Sequence, residues 1–323
     1  MNVRWHINVC LVKLAISLLR LTRWYDGYWN HWRTMFPLAE RQGLHIMPVH
    51  YYSPIPDARE LPEALWTHNR APVGVDLNID TALVQLDRFN QNYSSEYNAF
   101  PAKPSDNAHD YHLNNEAYFS GDAEILYSMV RELKPKRIIE IGSGYSTLLI
   151  CQAIRINQKE TSNYQCDFIA IEPYPPPALI PPPAEVTRME SKPLQQISPE
   201  LFASLSVNDI LFIDSTHVVR IGSDVALEFL TIVPNLAPGV VVHIHDIFIP
   251  AEYPRQWIEQ ARFFWNEQYL IEAFLAFNEE FEVIMATHAI WLAHADYLRK
   301  VIPSLDKGRP QPSSFWIRRC QSK

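Results

Sequence analysis

Residues 137–146 read RIIEIGSGYS, an apolar run that carries Glu140 and passes through Gly142-Ser143-Gly144 to Ser146 and Thr147, both able to cap a helix. Ile138, Ile139 and Ile141 suit a parallel strand covered on both faces. The two glycines let the backbone turn sharply and meet a ligand with no Cβ between them. A dinucleotide site would want a third glycine for its pyrophosphate, and Thr147 stands there instead. A cofactor without phosphates fits better. Three more apolar runs end in acids. Residues 167–173, DFIAIEP, end in Glu172, spaced from the glycine turn as a strand–helix–strand unit requires, and a carboxylate there can accept both hydroxyls of a ribose. Residues 208–217, NDILFIDSTH, and 236–250, LAPGVVVHIHDIFIP, carry Asp214 and Asp246 with His217, His243 and His245 close by. These acids should share the carboxyl edge of one sheet with the glycine turn, the edge where open α/β sheets bind ligands.

Taken in order, these stretches resemble the class I S-adenosylmethionine (SAM) dependent methyltransferases over roughly residues 116–319. E-I-G-S-G-Y-S-T is similar to the family's first motif, and Leu-Ala-Pro-Gly at 236–239 to the turn before its fifth strand. The resemblance implies an α/β, Rossmann-like fold: a seven-stranded, mostly parallel sheet in the order 3-2-1-4-5-7-6 with helices on both faces. Residues 116–323 would form this domain, and 1–115 an N-terminal helical and irregular extension covering the active site. It also implies SAM held by Glu140, Gly142, Ser143, Gly144, Ser146, Glu172 and Asp214.

Methyl transfer from a sulfonium needs an in-line nucleophile, so the protein must orient an acceptor and remove its proton. Asp214, His217 and Asp246 resemble the equipment of metal-dependent sugar and small-molecule O-methyltransferases. Carried over position by position, Asp214 and Asp246 become metal ligands and His217 the general base. His245 stands where relatives often have an acid and becomes a third ligand. Magnesium prefers oxygen, whereas imidazole suits manganese, iron or zinc, so all four metals stay open. His243, deeper in its strand, reads as a hydrogen-bonded core histidine.

These groups need positioning elements. Ile125, Leu126, Met129, Val130 and Leu133 predict a helix over Asp122–Leu133, ended by Lys134-Pro135 and leading into the first strand. Residues 257–277 read as a helix, 281–287 as a sixth strand and 313–319 as a seventh. The Pro-rich 173–183 cannot be a central strand or a helix interior and is expected as a stiff loop. Residues 48–110, rich in Pro, Asn, Asp and aromatics, are expected to be irregular with short helices over the active-site mouth. Tyr118, Phe119 and Ser120 stand where the family often closes over its cofactor.

At the N-terminus, residues 7–21 are apolar but broken by Lys13 and Arg20, and too short to span a bilayer. Leu11, Leu14, Ala15 and Leu18 share one helical face, beside the aromatic cluster Trp24, Tyr25, Tyr28, Trp29, Trp32 and Phe36. Docking on this chain, a homo-oligomer interface and peripheral membrane contact are the uses open to it. A chain of 323 residues with 47% hydrophobic content supports a folded core. Its formal charge of -8 disfavours nucleic acid as a partner and favours a small-molecule acceptor, such as a sugar or natural product. Four cysteines without ligand-like spacing suit a reducing cytoplasm. Three function classes fit: a SAM-dependent O-methyltransferase, a metal-dependent oxygenase or hydroxylase using two histidines and a carboxylate, and a non-catalytic membrane-associated scaffold.

Overall fold

A computed structural model describes residues 3–21, 28–47, 49–305 and 310–321, and the chain divides into two units, residues 1–62 and 63–323. The second unit is built on seven strands: β1 (Arg137–Ile141), β2 (Asp167–Ile171), β3 (Val186–Glu190), β4 (Ile210–Ile213), β5 (Val241–Ile244), β6 (Phe281–Ala286) and β7 (Phe315–Arg319). Their spatial order is β3-β2-β1-β4-β5-β7-β6, the order expected, with β7 antiparallel to both β5 and β6 and the other pairs parallel.

Alternation along the strands produces the two-sided core. Ile138, Phe168, Ile210 and Phe212 face one cluster, while Ile139, Ile171, Leu211, Ile213 and Ile244 face the other. The unit's helices are α3 (Ala64–Thr67), α4 (Ile79–Tyr97), α5 (Asp122–Leu133), α6 (Tyr145–Glu160), α7 (Pro199–Ala203), α8 (Asp224–Leu227), α9 (Glu267–Leu275) and α10 (Thr287–Val301). Helices α4, α5, α6 and α10 supply the first cluster. Phe202 of α7, Val225 of α8, and Ile271 and Leu275 of α9 supply the second.

Register then sets the site. Ile141 pairs with Ile171 on one side and Ile213 on the other, and Ile213 pairs with Ile244. One residue further on, Gly142, Glu172, Asp214 and His245 must form a row along the carboxyl edge.

Several expectations are corrected. Residues 48–110 contain a 19-residue helix, α4, because Ala82, Leu86, Phe89 and Tyr97 make a buried stripe against α5, α10 and β6. The single helix expected over 257–277 is two elements, a one-turn helix at Trp257–Ala261 and then α9. Arg262, in the left-handed region at φ 62°, stops the first. β3 has a mixed, largely uncovered pattern typical of an edge and was not located from the sequence. Tyr118 and Ser120 are core residues: the Tyr118 ring lies 4.8 Å from that of His245, and the Ser120 hydroxyl bonds to Glu124 and Ser304.

In the first unit, α1 (Val3–Leu21) and α2 (Tyr28–Glu40) are helical, and Leu11, Leu14 and Leu18 are exposed. Trp24 and Tyr25, and the side chains of Tyr28, Trp29 and Trp32, lie outside the described residues. No helix among the described residues is long and apolar enough to cross a membrane.

Candidate active site

The glycine turn is fixed by its neighbours. Gly142 N–H donates to Ile171 O (3.0 Å), Asp214 N–H donates to Ile141 O (2.9 Å), and a Cβ on Gly142 would sit 1.9 Å from Asp214 O. With φ at +82°, this position requires glycine twice over. Gly144 differs: a Cβ there would meet nothing within 4 Å. Protein atoms therefore do not explain the glycine, and the space above it is open. Ser143 Oγ beside it is buried without a hydrogen-bond partner among the described residues.

Glu140 braces the turn from beneath. Its two carboxyl oxygens accept from Ser146 Oγ (2.8 Å) and Thr147 Oγ1 (2.6 Å), and Thr147 Oγ1 accepts from Gly144 N–H (3.0 Å). Full burial pushes the Glu140 carboxyl up to about 8, against the pull of those two hydroxyls. Glu140 and Ser146, expected as cofactor contacts, thus bond to each other. Glu172 reaches across to the turn, accepting from Ser143 N–H (3.3 Å) and Tyr174 N–H (2.8 Å). Between the turn and the loops after β3 and β4 lies a cleft of about 370 Å³, with Gly142, Glu172, Leu194 and Asp214 in its walls. An unphosphorylated nucleoside-type cofactor fits this arrangement: the open turn admits it closely, the orphaned hydroxyl is available to it, and Glu172 offers a diol acceptor.

Beyond β4 the chain turns back through His217, held at φ 58°, and beyond β5 through Asp246 at φ 57°. Two non-glycine residues in the left-handed region at neighbouring strand ends bring their side chains together. His217 Nε2 lies 3.2 Å from Asp214 Oδ1 and 3.9 Å from Asp246 Oδ2, and the donor atoms of all three groups fall within 4.8 Å of one another. His217 Nδ1 lies 2.9 Å from Oε2 of Glu267, a fully buried side chain at the start of α9. Burial opposes charge on His217, but hydrogen bonds to Asp214 and Glu267 outweigh it and hold the imidazole well above its ordinary value. Burial likewise works against an ionised Asp214, yet His245 and His217 keep its carboxyl down at about 2. Without another cation, His217 is therefore an imidazolium shared among carboxylates. Two carboxylates and an imidazole with converging donor atoms also suit a divalent cation.

His245 stands at the edge of this group. Its Nε2 is 3.7 Å from Asp246 Oδ1, and although burial disfavours its charge, Asp246, Asp214 and Asp122 raise its pKa. Ser313 Oγ donates to Asp246 Oδ1 (3.0 Å). His243 is buried as expected, stacked on Phe212 at 4.1 Å, and among the described residues Tyr118 Oη, at 3.4 Å, approaches its Nε2 while its Nδ1 has no partner. Burial depresses its pKa well below the ordinary value, so it is neutral. Glu267 was missed. It lies 50 residues from its partner, inside what reads as a continuous helix, and no local pattern marks it.

Residues 139–247 match the family model for a methyltransferase domain, a span that runs from β1 past Asp246. Over that span the sheet unit is similar to methyltransferase domains, and its strand order is the one that the resemblance to the class I SAM-dependent family implies. An uncharacterized protein of Archaeoglobus fulgidus is 33% identical over 140 aligned positions, in a match that covers 41% of this chain. The match takes in about 60% of that relative's length. Among solved structures, CmcI-N160 in its apo form is 14% identical, covering 88% of this chain and 96% of its own, with a TM-score of 0.39. A structure assigned to a Plasmodium falciparum protein-L-isoaspartate O-methyltransferase, in complex with S-adenosyl-L-homocysteine, is 15% identical over 53% of this chain and 76% of its own, with a TM-score of 0.27. The likeness to a methyltransferase domain thus rests on the family match and on the strand order.

Proposed function

We propose that this protein transfers a methyl group from SAM to an oxygen of a small hydroxylated acceptor, with a divalent cation at Asp214 and Asp246. The observation that carries this reading is the open glycine turn at Gly144 beside Glu172, on the same sheet edge as the Asp214–His217–Asp246 group. Glu172 accepts the ribose hydroxyls, and Ser143 supplies a polar contact from the turn. Asp214 and Asp246 hold the cation, with His217 and His245 at its flank. When bound, such an ion lowers the pKa of an acceptor hydroxyl by Lewis acidity.

His217 takes the acceptor's proton. As an imidazolium it cannot do so, and it is the pull of Asp214 that keeps the Nε2 proton in place. A dication held by the two aspartates would weaken that hold and leave Nε2 free to act as a base. Glu267 keeps Nδ1 engaged, so it is Nε2 that faces the reaction. Among the described residues two carboxylates and no pair of histidines converge there, which favours this reading over an oxygenase built on two histidines and one carboxylate.

Titration calorimetry with SAM and its demethylated product tests the cofactor, and metal analysis with chelator-treated assays tests the ion. Binding that Glu172→Ala weakens is expected. Tight NAD binding with no response to SAM would refute the proposal.

A further inference from the structure

A cavity of about 880 Å³ lies past the end of β5 and outside the cofactor cleft. Its wall is joined to the catalytic edge through the chain. Phe248 in its wall follows Asp246 by two residues, and Gln311 precedes Ser313, which bonds to Asp246, by two. A run of aromatic rings links the two places: Trp265 packs on His217 at 4.2 Å, Trp257 on Trp265 at 5.1 Å, and Phe248 on Trp257 at 5.2 Å, nearly perpendicular at 88°. Edge-to-face contacts of this kind hold the rings in place, so a ligand meets a wall that is already ordered.

The polar groups around the cavity hold no unpaired cation among the described residues. His288 Nδ1 lies 3.2 Å from Pro312 O, and because a carbonyl only accepts, Nδ1 carries the hydrogen and Nε2 offers a lone pair. Burial pushes the His288 pKa down to about 4, so the ring is neutral in ordinary buffers. Trp66 Nε1–H has no acceptor among the described residues. Arg255, the one cation lining the cavity among the described residues, is paired with Glu63 (2.9 Å) and Glu259 (3.0 Å). Glu252 accepts from Tyr269 Oη (2.6 Å). An anionic ligand would face Glu252 and Glu259 with no spare cation among these residues, whereas an uncharged ring with hydroxyls would find flat apolar faces and the His288 lone pair.

We infer that this cavity is the acceptor site and that it takes an uncharged, hydroxylated ring compound, lying on Trp257 and Phe248 with a hydroxyl bonded to His288. The inference rests on the methyl-transfer reading above and adds the substrate class to it. A glycoside and a phenol share this chemistry, so both are tested.

The full chain is loaded with S-adenosyl-L-homocysteine and titrated by calorimetry with methyl glucoside, catechol and glucose 6-phosphate. At least one neutral probe should bind. Trp257→Ala, and Gln311→Trp, which fills the cavity from its exposed rim, should each weaken that binding at least tenfold while changing homocysteine-product affinity less than twofold. Methyl glucoside binding alone assigns a sugar, and catechol binding alone a phenol. The inference is overturned if the cofactor product binds but neither neutral probe does. It is also overturned if binding ignores both substitutions, or if glucose 6-phosphate binds more tightly than methyl glucoside. Failure of the cofactor product to bind defeats the methyl-transfer reading instead. In that case, probe binding that Gln311→Trp blocks would still support the cavity as a site for this class.

Discussion

His217 and Glu267 clamp each other across 50 residues of sequence. The Glu267 carboxylate lies 2.9 Å from Nδ1, while the His217 carbonyl accepts the backbone N–H groups of Asn266 (3.1 Å) and Glu267 (3.3 Å). One residue thus caps the start of α9 and has its imidazole fixed by that helix in return. Burial raises the Glu267 pKa, while His217 and the positive end of the helix favour the charged form. The imidazole is left with one free direction, toward Asp214 and Asp246.

Substituting Glu267 should therefore damage the reaction more than the cofactor site. Glu267→Gln can still accept a hydrogen bond from Nδ1–H but carries no charge, and we expect turnover to fall roughly 10–100-fold with SAM affinity unchanged. Glu267→Ala leaves Nδ1 without a partner in the interior and should also cost about 1–3 kcal/mol of stability. Turnover, calorimetry and thermal melting on the two variants separate these effects. Normal turnover in Glu267→Gln would reduce the residue to a packing role.

The two glycines of the turn should respond in opposite ways. Gly142→Ala forces a Cβ to 1.9 Å from Asp214 O at φ +82°, so the strand ends must separate. A loss on the order of 3 kcal/mol or more is expected, seen as a lowered melting temperature. At Gly144 an added Cβ meets no protein atom within 4 Å, so in Gly144→Val melting should hardly change while SAM affinity drops at least tenfold, since the side chain would occupy the cofactor's approach. Equal melting losses in both would mean that Gly144 is structural.

Much of this edge was legible in the sequence because parallel register makes it so. Once Ile141, Ile171, Ile213 and Ile244 are recognised as strand ends, Gly142, Glu172, Asp214 and His245 fall into a row. The rest depended on long-range contacts. β3 pairs on one side only, so burial leaves little pattern in Val-Thr-Arg-Met-Glu. α4 has an apolar stripe at helical spacing, but Asn, Asp, Ser and Gln fill its exposed face and mask it. Glu267 becomes a site residue only because the chain breaks after Ala261, which makes a new helix start where a continuous pattern seemed to run.

The Glu140 carboxyl should impose a pH dependence on stability. Its folded-state pKa, about 8, lies above the ordinary value of 4.5, so the folded protein binds this proton more tightly than the unfolded chain. The contribution is fully present below about pH 4.5 and is lost as pH rises through about 8. Melting temperature should therefore fall across this window, and Glu140→Gln, which cannot ionise, should flatten the fall. An unchanged slope in Glu140→Gln would assign the dependence to other groups.

Cation binding should be tied to the proton on His217. Burial opposes this proton, but Asp214 and Glu267 hold it well above the ordinary histidine range, so at neutral pH the ligand-free site carries it. Asp214 and Asp246 cannot keep that imidazolium and a dication together without bringing like charges within a few ångströms. Binding should therefore expel about one proton, and affinity should rise with pH between 6 and 8. Calorimetric titration of Mn²⁺ in two buffers of different ionisation heat counts that proton directly. Asp246→Ala should remove the binding and leave SAM affinity within about twofold, because the open turn and Glu172 lie on the other side of β4. His217→Gln removes the proton while keeping a polar side chain, so any binding that remains should lose its pH dependence. Proton release that persists undiminished in His217→Gln would place the titrating group elsewhere, with His245 the next to examine.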